Sequence, residues 1–474
     1  MKRVASISLG PLSLDCNFST QFLGHDFEVV RIGTNNDFKA AEKLVVEWRD
    51  KVDAIGLGLV HDHYWVGTHH FHQRDTAKLE KLAGDALVST GARLRGIVQE
   101  WSLRSAQHEL GNFFNNAKVL FLSGTTNYRL ASVMAEYTEN LSFADPVLQF
   151  GAPSLLHSLS ALELYAAASN RMLRFDPENG VLPSLAPGKQ FNRFLLKKAV
   201  RDADVIVASY HQLERYGPDE LEGKVVLTST ISPDRQQALK ERGVRVVIDC
   251  SIQLFEQTVG LNLIEAMILA ALGKPAKEIA HDDYLEIFTD LDLKPRILYP
   301  IEGKKQINRF AFVIHPLSQK YLTNLKPLEI LSKVSPPAVM DVVEKAIAYT
   351  PPMVYSKVEG IRSPSGVEAK GWLITVGGTP KQIMSHSPEF TYRQLLAAAD
   401  MAKKMGAQIM GLGAFTKVVG DAGVTVAKRA PLPITTGNSY SASGALWAAQ
   451  DAAARLGLVE LEKGKKIKGK AMVV

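Results

Sequence analysis

Cysteine is almost missing from this chain of 474 residues, with only Cys16 and Cys250 present. Two thiols so far apart in sequence build neither a disulfide framework nor a Cys-based zinc site within one chain, which fits a reducing compartment. Long apolar runs are also missing: the most apolar stretch, near Leu263 to Leu272, carries Glu265 and is too short to span a bilayer. Lys2 and Arg3 are followed by Ser6, Ser8, Pro11 and Asp15 before any apolar run develops, so no secretion signal is read. There is little excess of one charge, with 55 basic against 49 acidic residues. The cluster Lys463, Lys465, Lys466, Lys468 and Lys470 supplies most of the net +6, so a nucleic-acid partner does not follow. The expectation is a cytoplasmic protein with no membrane span.

What is present is ordinary globular composition, 46% hydrophobic and 22% charged, at a length that calls for several domains. Short β-rich runs, Val4 to Leu9, Phe27 to Ile32 and Ala54 to Val60, surround a helical stretch from Phe38 to Arg49. From Lys118 the apolar runs Lys118 to Leu122, Asp204 to Ala208, Lys224 to Leu227 and Arg245 to Ile248 alternate with helical stretches. Buried parallel strands with crossover helices account for this pattern. The reading is an α/β chain with a Rossmann-like parallel-sheet domain over residues 1–303, open to subdivision near 115.

Each of the four later runs ends in small polar residues: Ser123-Gly124-Thr125-Thr126, Ser209-Tyr210-His211, Thr228-Ser229-Thr230 and Asp249-Cys250-Ser251. Ligands bind at such carboxyl ends of parallel strands. Gly124 followed by Thr125 and a helix resembles a phosphate-cradling turn but lacks further glycines at fingerprint spacing. Helix capping by Ser and Thr explains the same clusters.

Pro300, Gly303, Lys304 and Lys305 break the pattern before a strand from Phe310 to Ile314, which opens a second α/β unit over residues 304–460. It includes Pro336-Pro337 and Pro351-Pro352, a β-rich stretch Gly371 to Val376, a helix from Thr391 to Met405 and a last helix from about Ser441 to Leu456. Residues 461–474 read as a linker and the start of a further Rossmann strand, Ala471-Met472-Val473-Val474, with the polypeptide expected to continue.

The most informative motif pairs Gly411-Leu412-Gly413-Ala414-Phe415-Thr416 with Thr435-Thr436-Gly437-Asn438-Ser439. Two glycines allow close backbone approach, and hydroxyls and an amide at a helix amino end suit an anion, a carbonyl or an amide. Capping by Asn438 or Ser439 is the alternative. Five of the twelve histidines, His61, His63, His69, His70 and His72, cluster around an expected β-hairpin turning at Gly67, and no metal is assigned to them because nothing fixes ligand geometry. Cys250 follows a buried strand, where a thiol is more often inert than nucleophilic. The lysine run Lys463 to Lys470 reads as a solvated turn or as a site for a cofactor phosphate or an acidic carrier.

Phe312-Val313-Ile314-His315-Pro316-Leu317-Ser318, the Leu412 to Thr416 turn and Thr435 to Asn438 resemble the substrate domain of long-chain acyl-(acyl-carrier-protein) reductases and related predicted amino-acid dehydrogenases. The resemblance implies a following NADPH-binding Rossmann domain and a thioester-forming cysteine, neither of which lies in this sequence. The amino-terminal 300 residues resemble proteins labelled quinate or shikimate 5-dehydrogenase, through Val4 to Gly10, Gly67 to Lys78, Gly223 to Thr228 and Gly260 to Gly273.

Together these resemblances imply an NAD- or NADP-linked oxidoreductase, reducing an activated acyl group to an aldehyde or acting on a small hydroxy or oxo substrate. The implied partners are a small-molecule or acyl substrate, an acyl carrier and further copies in a homo-oligomer. Thr435 and Asn438 are the expected catalytic residues. His315, Ser318, Gly411, Gly413, Phe415, Thr416, Thr436, Gly437 and Ser439, with Gly124, Thr125, Thr126, Thr228, Ser229 and Thr230, are the expected binding residues. The competing reading is a non-catalytic ligand-binding or assembly protein built from dehydrogenase-like folds, favoured by the incomplete dinucleotide fingerprint.

Overall fold

In the computed structural model the described residues are all but 170–188, 253, 255–258, 294, 302–306, 317–344, 365, 414–415, 417–419 and 458–474, with the side chains of Lys189 and Gln190 also set aside. Contacts divide the chain into two compact units, Met1–Gln306 with Pro364–Val367, and Ile307–Ser363 with Glu368–Val474.

Unit 1 opens with strands β1 (Lys2–Ser8), β2 (Cys16–Phe22), β3 (His25–Gly33) and β4 (Ala54–Gly58). The hairpin of β5 (Tyr64–Val66) and β6 (His69–Phe71) follows, and β7 (Leu87–Ser89) completes the set. The first sheet runs β2-β3-β1-β4-β7. All of its strands are parallel except β2, which pairs antiparallel with β3. Strand β4 is buried along its whole length, whereas β2 alternates in burial, as an edge strand with one wet face should. Helices α1 (Phe38–Trp48) and α2 (Arg74–Leu82) cover one face, where Ala41, Val45 and Leu79 pack on Ile7, Ile55 and Leu57. Asp37 starts α1 by accepting the Ala40 N–H.

Helix α3 (Ala92–Glu109) then leads to a second sheet. Its elements are β8 (Val119–Phe121), α4 (Tyr128–Ala135), β9 (Leu141–Phe143), α5 (Asp145–Phe150), α6 (Leu159–Ser169) and α7 (Lys189–Asp202). They continue with β10 (Val205–Val207), α8 (Tyr210–Tyr216), β11 (Val225–Thr228), α9 (Pro233–Glu241) and β12 (Val246–Asp249). The order is β13-β12-β11-β10-β8-β9, where the last strand in sequence, β13 (Arg296–Leu298), is the only antiparallel one. Apolar clusters lie on both faces, so these strands are short continuous Val, Leu and Ile runs.

Between β12 and β13 the chain returns to the first sheet. Helix α10 (Leu261–Leu272) buries Leu263, Ile264, Met267, Ile268 and Leu269 in one cluster with Val4, Val29 and Ala54. Helix α11 (His281–Asp290) adds Tyr284, Ile287 and Phe288 to that cluster. The first sheet therefore takes half of its cover from residues some two hundred positions later.

Unit 2 contains β14 (Ile307–Ile314), β15 (Met353–Arg362), β16 (Glu368–Thr375), α12 (Pro380–Ser385), α13 (Pro388–Met405), β17 (Ile409–Leu412), α14 (Val424–Arg429), β18 (Ile434–Thr435) and α15 (Asn438–Arg455). Its sheet runs β15-β16-β14-β17-β18, with β15 antiparallel and the rest parallel. Helix α13 packs Leu395, Ala398, Ala399 and Ala402 on Ala311, Val313 and Ile374.

This is the topology of the first sheet repeated: the first-formed strand in the centre, an antiparallel second strand at one edge and the fifth strand at the other. The sequence repeats with it. Gly10-Pro11-Leu12-Ser13 is matched by His315-Pro316-Leu317-Ser318, Gly56-Leu57-Gly58 by Gly411-Leu412-Gly413, and Ser89-Thr90-Gly91 by Thr435-Thr436-Gly437. Register agrees, because Gly56 lies opposite Ser89 and Gly411 opposite Thr435. Helices α3 and α15, each 18 residues, follow left-handed Gly91 and Gly437. Both end at a leucine, Leu110 and Leu456, followed by left-handed Gly111 and Gly457. Trp101 and Trp447 hold the same place within them.

Candidate functional site

In the second sheet of unit 1, β8, β10, β11 and β12 are parallel neighbours, so residues 123–126, 209–211, 228–230 and 249–251 lie along one edge. Strand order reverses between β8 and β10, because β9 lies outside β8 while the later strands lie on the other side. Such a switch point opens a crevice for ligand. Gly124 and Thr125 follow β8, one of the two strands that flank the switch point, and both are buried.

Their amides are already engaged. The Asp145 carboxylate, 21 residues after Gly124, accepts the Gly124 N–H at 2.7 Å, the Thr125 N–H at 2.9 Å and the Thr125 hydroxyl at 2.7 Å. Asp145 is fully buried, and burial raises its pKa against the pull of these donors. A carboxyl group thus sits where a phosphate cradle would hold its anion, and it belongs to the protein. Gly124 also serves packing, since a Cβ there would run into Phe143 and Leu162. Thr126 is half-buried and donates to Ser123 Oγ at 2.8 Å.

Further along the edge, buried Asp249 accepts from Ser251 N and Oγ, at 3.1 and 2.7 Å, and pairs with Arg296 at 2.9 Å. Burial raises its pKa. Between the two carboxylates, the Thr228 hydroxyl at the end of β11 is buried and meets no hydrogen-bond partner among the described residues. Ser229 is half-buried, and Thr230 is exposed in a left-handed conformation. Cys250 is buried with its pKa raised by desolvation and by Asp249, which makes it an inert thiol.

The β5–β6 hairpin expected at Gly67 is present and packs onto this domain, with Val66 and Phe71 in a cluster that includes Phe121 and Phe143. Tyr128 of α4 hydrogen-bonds Glu163 of α6 beneath Gly67. Around the hairpin, His63 stacks on His72 at 4.5 Å, and His70 stacks on Trp65 at 4.5 Å. His63 Nδ1 accepts the Gln73 N–H at 2.8 Å, which puts its proton on Nε2, 3.3 Å from Glu80. Burial, then the charges of His63 and His72, lower the pKa of His70. Among the described residues no three His, Cys, Asp or Glu side chains are grouped to hold a metal ion.

In unit 2, the glycines Gly411 and Gly413 face the Phe312 ring of the neighbouring strand, and a Cβ on Gly413 would also fall 2.5 Å from the Val313 carbonyl oxygen. The close approach these glycines allow is therefore made by the protein itself. Thr416 is buried, its hydroxyl donating to the Gly413 carbonyl at 2.6 Å. His315 is buried and donates from Nδ1 to the Pro316 carbonyl at 3.0 Å. Ser318 and Phe415 lie outside the described residues, as do the lysine run and residues 461–474. Thr435, Gly437, Asn438 and Ser439 are exposed and Thr436 half-buried. The helix cap is a correction to the sequence reading: Gly437 is the N-cap of α15, with no side-chain cap, and Thr435 Oγ1 accepts the Gly437 N–H at 3.2 Å. Asn438 is already the first helical residue and its side chain is past the capping position.

Residues 3–90 match a family model described as a domain of unknown function (DUF8753), and residues 93–300 match another (DUF8754). The junction falls at the start of α3. Among solved structures, an Entamoeba histolytica malic enzyme is similar at 15% identity over 59% of this chain and 60% of that one, with a TM-score of 0.30. A Mycobacterium smegmatis protein in complex with β-D-fucofuranose is similar at 11% identity over 63% of this chain and 99% of that one, with a TM-score of 0.26. Both likenesses are too slight to carry a statement about function. No helix among the described residues is long and apolar enough to cross a membrane.

Proposed function

We propose that the chain is the frame of an NAD(P)-linked oxidoreductase acting on a small oxo, hydroxy or activated acyl substrate, with the nucleotide at the carboxyl edge of the second sheet of unit 1. The observation that carries this reading is the switch point between β8 and β10, with a strand, a glycine turn and a helix at it. The Thr228 hydroxyl at the end of β11, the strand next to β10, is without a partner among the described residues and supports a polar ligand at the same edge. The resemblance to acyl reductases and to quinate or shikimate dehydrogenases adds the reaction class. Asp145 restricts how a dinucleotide binds: with the Gly124 and Thr125 amides occupied, the pyrophosphate is held beside this turn, on hydroxyls such as Thr126 and Ser229.

The same carboxylate favours a second reading, a ligand-binding or assembly protein that kept the dehydrogenase frame and filled its own phosphate position. Calorimetric titration of the chain with NADH and NADPH separates the two. Binding of either with a Kd below about 1 mM, weakened about tenfold by Thr228→Val, supports the first. Absence of binding by both dinucleotides rejects it in favour of the second.

A further inference from the structure

Helix α3 is covered, and among the described residues its repeat α15 is left exposed. In unit 1, α3 buries Leu94, Ile97, Val98, Leu103 and Ala106, and Trp101 packs 5.3 Å from Phe288 of α11. Helix α15 buries no residue, and Tyr440, Leu446, Trp447 and Leu456 are each at least 60% exposed. The difference is greatest at the amino end. A Cβ on Gly91 would fall 2.5 Å from the Asn262 nitrogen and 2.8 Å from the Leu261 carbonyl carbon, because the first turn of α10 rests on it. At Gly437 nothing among the described residues lies within 4 Å of that point.

We propose that the amino end and apolar face of α15 form the seat of a partner domain that presents a helix of the α10 kind, opening with Gly-x-Asn and carrying glutamate three residues after the asparagine. The chemistry of the seat is read from unit 1. There Glu265 accepts from Ser89 Oγ at 2.6 Å and from Leu94 N at 3.2 Å, so it joins the end of a strand to the first turn of α3. Gly91 N donates to Ser89 Oγ at 2.8 Å, as Gly437 N does to Thr435 Oγ1. Thr435 stands for Ser89 and Tyr440 for Leu94, so the hydroxyl and the helix-start amide that receive the carboxylate recur. The amino end of a helix favours a carboxylate through its free N–H groups and its dipole. Below it, Tyr440 and Trp447 offer the apolar face that α10 and α11 cover in unit 1.

The helix that docks is not the chain's own α10, whose Gly-x-Asn with glutamate at this spacing, at Gly260, Asn262 and Glu265, is the single copy within residues 1–474. That copy is buried in unit 1. The proposal rests on the repeat and is independent of the redox reading.

The test uses the full chain and, as probe, residues 259–293 fused to a soluble carrier. Hydrogen exchange at residues 438–455 should slow on adding probe and saturate. Glu265→Ala in the probe, or Trp447→Ala in the chain, should weaken the effect about tenfold or more, as loss of a buried anchor does. Equal binding by the Glu265→Ala probe reduces the effect to apolar adhesion and overturns the proposal, as does a probe that protects nothing. Protection that rises with chain concentration alone, and is abolished by Trp447→Ala, overturns it in favour of a second copy on this face.

Discussion

Asp145 shows how much one carboxylate decides. It holds two backbone amides and a hydroxyl where no water reaches, and in a family of parallel sheets those amides are what a ligand phosphate would take. Asp145→Ala leaves three buried donors without an acceptor and should cost on the order of 3 kcal/mol in urea unfolding. Asp145→Asn retains part of the bonding but no longer ionises. Because burial raises the Asp145 pKa, the folded state holds its proton to higher pH than the unfolded chain, whose aspartates ionise near 3.8. The wild type should therefore lose stability relative to Asp145→Asn as pH rises from about 4 through the folded pKa. Unfolding curves from pH 4 to 7 check this, and a difference that grows with pH in favour of the wild type contradicts the pKa direction. The sequence shows an acid near the right distance from Gly124. It does not show the acid turned inward, which depends on Phe143 and Leu162 closing over the turn.

Among elements, the short Val, Leu and Ile runs were legible because strands buried on both faces have no polar alternation to confuse them: β8 and β10 lie inside the runs read from sequence, and β11 and β12 pass the ends of theirs by one residue each, Thr228 and Asp249. Strand β2 was not legible, since Asn17, Ser19 and Gln21 point to water and dilute the apolar signal of an edge strand. The homology of α3 and α15 was also hidden. Their faces differ in side chains, and what repeats is the punctuation, a glycine before each helix and Leu-Gly after it. Those signals emerge only once the strand order is known.

The hairpin β5–β6 was foreseen through Gly67, though the stacking of its imidazoles was not. His70 has a lowered pKa, so the folded state binds its proton less readily than the unfolded chain. Stability from this source is present above about pH 6.5 and is lost as pH falls through the lowered value. His70→Gln should flatten the acid side of the stability profile between about pH 7 and 5, measured by thermal unfolding. An unchanged slope rules out His70 as its source.

At the scale of the molecule, unit 1 consists of two sheets threaded discontinuously. Residues 261–290 return to cover a sheet begun at Lys2, and bonds such as Asn262 Nδ2 to Ser6 Oγ join positions 256 apart. The five large apolar side chains of α10 contribute about 1.5–3 kcal/mol each on burial, which together rivals the whole stability of a domain, roughly 5–15 kcal/mol. A fragment ending at residue 258 should therefore expose the first sheet. Limited proteolysis should cut it within residues 1–90, while a fragment ending at 300 resists. Equal resistance of the two fragments disproves the dependence.

The same threading fixes an order of events on the ribosome. The second sheet from β8 to β12 is local in sequence and can assemble as it emerges, whereas the first, although made earlier, waits with one apolar face uncovered until α10 and α11 leave the exit tunnel. At about 5–20 residues per second that interval lasts on the order of ten seconds. During it the nascent chain presents Val4, Val29 and Ala54 to solvent, an opening in which a chaperone or a wrong partner reaches the sheet before its own helix does.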